Sequence, residues 1–294
     1  APTAQAIFVT DQRQLVALGA DNNPRRVSWS DIEDNTDWTA NVDDQAGGRN
    51  LATTGKIQSA VNIPSGFLVF TDTDVHRFDY LGPPFVFNME KVADGSGSVS
   101  RKSAIEIDGQ VIWMGPQGFW SYNGFPQSIK CDVQDHVFTN INRAQISKVT
   151  AFHNSSYGEV TWFYPDNSST ENNSYVTYSY NEGHWTFGKL DRLAAADQSP
   201  FPYPLMTGAD GHVYEHEVGF NHQGVNPYLK GGPIQLGNGD SIAEVHMYMP
   251  DTRTIGDGTI SFCAQYEPHG TPYEYGPYTV SKRTVSRENT RPLV

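Results

Sequence analysis

Three short triplets recur along this chain: Ser59-Ala60-Val61, Ser103-Ala104-Ile105 and Thr150-Ala151-Phe152. Each opens an apolar strand-like segment, followed by a turn and a second apolar segment. That second part ends on an aromatic, any residue, an aromatic and a nearby glycine. The copies are Phe78-Asp79-Tyr80 before Gly82, Trp120-Ser121-Tyr122 before Gly124, and Tyr178-Ser179-Tyr180 before Gly183, with a looser Tyr214-Glu215-His216 before Gly219. Starts at 59, 103 and 150 repeat every roughly 40–50 residues, the interval of an all-β propeller blade. One twisted four-stranded sheet cannot hide both faces, whereas sheets stacked about an axis bury one another. Alanine in the triplets suits inner strands, where sheets converge. The aromatics suit outer strands, where they splay apart.

The pass along the chain predicts about five blade-like units within 1–220. Ile7-Phe8-Val9 and Leu15–Leu18 flank a polar turn, and Val27-Ser28-Trp29 follows Asn23-Pro24. The stretch 31–55 is polar and loop-like, so the first unit is expected to be incomplete. Units follow at 56–82, 102–124, 148–188 and 200–219, with Asp108-Gly109 a strong hairpin turn. One helix is expected at 132–146, through Val133, Val137, Phe138, Ile141 and Ile146. After Gly219 the signature stops. Apolar segments at 234–236, 242–249, 260–266 and 278–280 predict a small C-terminal β-sandwich-like appendage over 221–294, or strands that complete the ring. A basic tail follows, with Lys282, Arg283, Arg287 and Arg291.

Composition agrees with this reading. Hydrophobic residues make up 37% and charged residues 18%, while Gly (27), Tyr (15) and Phe (15) supply turns and aromatic strands. The formal net charge of −13 argues against a dedicated nucleic-acid binder, which would show a basic face. A negative wall suits a passage that DNA slides through without sticking; ordinary solubility is the simpler source of the same charge. Cys131 and Cys263 are far apart and are expected to be free, buried thiols. No run of about 18 apolar residues is present. The chain starts at Ala1 without Met or a visible signal peptide, and is expected to be the ordered or processed part of a longer protein.

Candidate chemical sites are few. His212 and His216 share one face of a strand, but about 13 Å separates positions four apart at roughly 3.3 Å per residue, too far for one ion. The acidic run Asp31, Glu33, Asp34 and Asp37 lacks the spacing and central glycine of an EF-hand loop, and reads as solvated. Inner-strand carboxylates for glycoside chemistry reduce to Glu106, Asp108 and Glu159. No G-x-S-x-G, P-loop or plausible Cys/His pair is present. Sequons at Asn154, Asn167 and Asn172 matter only in a eukaryotic secreted protein. The expectation is no catalytic residue, no metal site and no cofactor.

A resemblance adds to this. The segments Arg26-Val27-Ser28-Trp29-Ser30-Asp31-Ile32-Glu33-Asp34 with Asp37-Trp38, Leu68 to Asp72 before Phe78-Asp79-Tyr80, and Val111 to Gly115 before Trp120-Ser121-Tyr122 resemble the tail stabilisation (tail accessory, or nozzle) proteins of short-tailed bacteriophages. In that family a Gly-aromatic hairpin leads to a short helix and then a strand pair ending in Tyr and Trp. The likeness covers about 25–220. It implies a structural virion protein without catalytic residues, a propeller subunit of a homohexameric ring around the DNA exit channel. Its partners would be its own copies, the portal-adaptor stack and the tail tip or fibres, with double-stranded DNA passing transiently. Two alternatives are a carbohydrate-binding or glycosidase-like propeller and an interaction propeller of a bacterial envelope complex.

Overall fold

A computed structural model describes residues 1–219, 228–232, 234, 245, 247–248, 257–265 and 270–280. The chain divides into two compact units, Ala1–Phe220 and Asn221–Val294.

The first unit is a succession of antiparallel meanders, each contiguous in sequence. The first sheet holds β1 (Ala6–Val9), β2 (Leu15–Leu18), β3 (Arg26–Trp29) and β4 (Gly47–Asn50). The second holds β5 (Ile57–Ile63), β6 (Gly66–Thr71), β7 (Asp74–Gly82) and β8 (Val86–Asp94). The third runs β9 (Ala104–Ile107), β10 (Gln110–Met114), β11 (Phe119–Tyr122) and β12 (Pro126–Ile129). Helix α1 (Gln134–Asn140) precedes the fourth: β13 (Thr150–Asn154), β14 (Glu159–Tyr164), β15 (Ser174–Ser179) and β16 (His184–Lys189). The fifth has three short strands, β17 (Ala194–Ala196), β18 (Leu205–Thr207) and β19 (Val213–Glu215).

The first strands of neighbouring sheets touch: β5 meets β9, β9 meets β13, and β13 meets β17. Lys102 and Thr150 form a parallel bridge beside two of them. Meanders side by side, with their leading strands converging, make a β-propeller. The alanines of the triplets lie on or at the start of these converging strands, as the repeat requires.

Packing follows from two-sided burial. The β6 segment Gly66–Thr71 is apolar throughout except at its last residue and buried throughout. Its alternate side chains serve different neighbours, which is why it reads as a continuous apolar run. Phe67 and Val69 join Phe78 and Phe87 against Val16, Leu18, Val27 and Trp29 of the first sheet. Leu68 and Phe70 pack against Val111, Trp113 and Tyr122 of the third. Beyond it, Ile112, Met114 and Phe119 meet Val160, Trp162 and Tyr164 of the fourth, with Val137 and Ile141 filling the same core. Each such side chain contributes about 1.5–3 kcal/mol by leaving water.

Two expectations are corrected. The first sheet is complete; its fourth strand looks loop-like in sequence because Gly47-Gly48-Arg49-Asn50 contains no large apolar residue. That strand is held by backbone pairing to β3, with Gly47 closely approaching the Trp29 indole. The incomplete sheet is the fifth. The helix is also shorter than 132–146. Ile141 turns extended (φ −70°, ψ 135°) and the Asn142 side chain caps a 3-10 turn, Arg143–Lys148. Two short helices share one apolar stripe.

In the second unit, β20 (Gly258–Ala264) pairs with β21 (Tyr273–Val280) across a bulge between Ile260 and Phe262. Phe262 and Tyr278 lie against Tyr248. Most of the expected segments 234–236 and 242–249, Tyr266 and the basic tail fall outside the described residues.

Candidate functional site

The inner-strand carboxylates do not gather. Glu106 accepts the Gly109 N–H at 2.6 Å, and Asp108 has φ 50°. Both therefore shape the β9–β10 turn. Glu159, opening β14, instead lines a cleft of about 350 Å³ between the fourth and fifth sheets. Phe163 and Tyr175 wall this cleft, Thr161 and Thr177 share a 2.7 Å hydrogen bond within it, and Glu217 and His216 stand across it. Burial first, and the Glu217 carboxylate second, hold the Glu159 carboxyl above the usual range. The cleft exists because the fifth sheet stops at three strands of three residues each, too little to cover β15 and β16.

The histidine pair also separates. His212 lies beside Asp210, while His216 Nε2 accepts from Arg192 Nε at 2.9 Å. Among the described residues no group of three or more His, Cys, Asp or Glu gathers to hold a metal. The sequons are structural polar groups: Asn172 is buried and donates to the Lys148 carbonyl, Asn167 donates to that of Thr139, and Asn154 is buried in the cleft. Burial pushes the half-buried Cys131 thiol up to about 11; Cys263, expected to be buried, is exposed on β20.

A buried network not foreseen from sequence lies in the second sheet. Asp74 accepts from Thr71 (2.5 Å), from Thr53 (2.7 Å) and from His76 Nε2 (3.2 Å). His76 Nδ1 is buried and has no partner among the described residues. Burial, outweighing Asp74, keeps this imidazole below its ordinary 6.5. The network edges an open polar hollow of about 690 Å³ that includes Lys91 and Asp94. The Thr71-Asp72-Thr73-Asp74 segment reads in sequence only as a turn; an acid and a histidine two apart on one strand face was the available signal.

The most extensive feature is one end of the propeller. Turns after the first and third strand of each meander share that end. Neighbouring turns confirm the alignment: Asn62 Nδ2 donates to the Val9 carbonyl, Gly109 packs beside Pro64, and the Ser155 N–H donates to Asp197. Within the first unit, exposed large apolar side chains stand in or beside these turns: Val42, Leu81 at the end of β7, Phe85, Phe125, Tyr157, Phe201 and Tyr203. Among the described residues, none lies in the loops of the opposite end.

Charge also distinguishes this end. The β3–β4 loop carries Asp31, Glu33, Asp34, Asp37, Asp43 and Asp44, and Asp108, Glu182 and Asp197 stand on other turns of that end. Among the described residues Arg13 is the one Lys or Arg in these turns, and it pairs with Glu33. The acidic loop is anchored: the Trp29 indole and Gln14 donate to the Gln45 carbonyl, and the Tyr80 hydroxyl donates to the Gln45 side chain. The other end is mixed in charge, with Lys56, Arg101, Lys102, Lys130 and Arg143 beside Asp72, Asp132, Asp135, Asp166 and Glu171.

No family model matches the chain, and no curated protein does. Similar solved structures include the N-terminal domain of Nup159 (9% identity, TM-score 0.43, 72% of this chain and 60% of that one). Others are the CNH domain of AfRom2 (14%, TM-score 0.38, 72% and 71%) and an exported protein of Bacteroides fragilis (11%, TM-score 0.36, 70% and 67%). The chain thus spans less than two thirds of the Nup159 domain.

Proposed function

We propose that the chain is a structural virion protein of a phage tail, a propeller subunit of a ring around the DNA exit channel. The order of elements carries this reading. A Gly-aromatic hairpin at 118–125 leads to the short helix α1, and then to β14 and β15 with Tyr178, Tyr180 and Trp185 closing the sheet. That succession is the one expected from the resemblance to tail stabilisation proteins. The negative charge suits passage of DNA without binding. In this role the ring, a homohexamer by the same resemblance, joins the portal-adaptor stack to the tail tip or fibres.

Light scattering coupled to size exclusion on the purified chain tests this. A ring-sized oligomer with a central opening in negative stain supports it; a strict monomer at tens of micromolar overturns it. The carbohydrate-binding reading has one observation in its favour, the cleft at Glu159 with Tyr175 and hydroxyls beside it. A glycan array checks that reading.

A further inference from the structure

We infer that the acidic end of the propeller is a docking surface for a protein partner with a basic rim and apolar pockets. The turn ends share one side, and in the first unit exposed apolar side chains stand there and not in the loops of the opposite end. Phe85 is 69% exposed and Phe125 60%, each at the tip of a hairpin between the third and fourth strands of its sheet. Leu81 precedes Phe85 across Gly82-Pro83-Pro84. Aromatic and leucine side chains held on short turns lose little freedom on binding, which is what interface anchors require.

The acidic β3–β4 loop decides the partner. Among the described residues its carboxylates have one Lys or Arg, Arg13, in the same set of turns. A second copy meeting this end symmetrically would press like charge on like charge, which costs several kcal/mol at an interface. A basic partner is instead attracted at long range and then anchored by the apolar tips. The inference stands on this geometry whether or not the chain belongs to a tail, because ring assembly and docking have separate readouts.

Two labelled peptides of equal charge probe it with the full chain: one alternating Lys and Leu, the other oligolysine. The Lys/Leu peptide is expected to bind at least tenfold tighter, with affinity falling as salt rises. Phe85→Ser with Phe125→Ser should remove that tenfold preference without lowering the unfolding midpoint, since both side chains are exposed. Asp34→Asn with Asp43→Asn should weaken both peptides, and Lys130→Ser at the opposite end should weaken neither. Equal affinity for the two peptides, or unchanged binding by the serine double variant, overturns the proposal. A change in the chain's own oligomeric state in that variant also overturns it, by making the occupant a second copy.

Discussion

The indole N–H of Trp162 donates to the carbonyl of Ser103, 2.9 Å away and directly before the first strand of the neighbouring sheet. Ser103 opens one of the repeated triplets, and its own hydroxyl is 2.6 Å from that of Ser98. Trp185 does the same further out, donating to the Lys130 carbonyl at 2.9 Å. The aromatic residues of the fourth sheet therefore hold it to the third by directed bonds as well as by area. Trp162→Phe removes one of two donors to this carbonyl, leaving the Met114 N–H at 3.3 Å, and opens a void where the indole packed. The expected loss is about 1–3 kcal/mol in urea unfolding. A wild-type midpoint for this variant would show that the bond contributes nothing.

Gly97 lies where the link between the second and third sheets crosses the Thr71–Asp74 turn. A Cβ there would fall 2.4 Å from the Thr73 nitrogen and the Asp72 carbonyl carbon, both backbone atoms. Gly97→Ala is expected to cost about 3 kcal/mol or more, because neither atom can swing aside. Gly124, with φ 86° and nothing within 4 Å, sets the comparison. Gly124→Ala carries backbone strain alone and should cost about 1 kcal/mol. Equal losses in the two variants would rule out the steric account.

That same link shows where the sequence misleads. Gly95 to Ser103 carries no apolar signal apart from Val99, yet Ser96, Ser98, Ser100 and Ser103 are all fully buried. Three of the hydroxyls find partners inside: Ser100 donates to the Val149 carbonyl at 2.6 Å, and Ser98 and Ser103 share a 2.6 Å hydrogen bond. Strand identity was legible wherever β-branched or aromatic residues alternate or run together, as in β6, β10 and β14. It was illegible in β4, where only backbone pairing holds Gly-Gly-Arg-Asn. The candidate surface was half legible. The acidic run Asp31, Glu33, Asp34 and Asp37 stands out in sequence, but the shared end for Phe85, Phe125 and Phe201 emerges only once the meanders fix which turns point the same way.

His76 makes stability depend on pH. Protonation would place a charge and a second N–H at buried Nδ1, which has no acceptor among the described residues. Burial accordingly holds the folded imidazole below 6.5, the ordinary value taken up on unfolding. His216 is lowered in the same direction, by burial and then by Arg192. Between the folded and unfolded values the unfolded chain binds more protons, so stability rises with pH and is lost as pH falls below about 6.5. The urea midpoint should fall between pH 7.5 and 5.5. His76→Gln should flatten that fall, with a residual slope from His216. An unchanged slope in the variant would remove His76 as the source.

Glu159 behaves in the opposite sense. Its carboxyl is raised by burial and by Glu217, so the folded state resists its ionisation at neutral pH. A carboxyl with a folded value above its unfolded value costs stability where it is ionised, and that cost is relieved as pH falls through the raised value. Glu159→Gln keeps the shape and removes the charge. The variant should unfold at slightly higher urea at pH 7.5, by less than about 1 kcal/mol because solvent screens a half-exposed pair. The gain should shrink toward pH 4.5, where the wild-type carboxyl takes up its proton. A variant less stable than wild type at pH 7.5 would mean that Glu159 has a favourable partner, and the cleft would then have to be read as a neutralised polar seam.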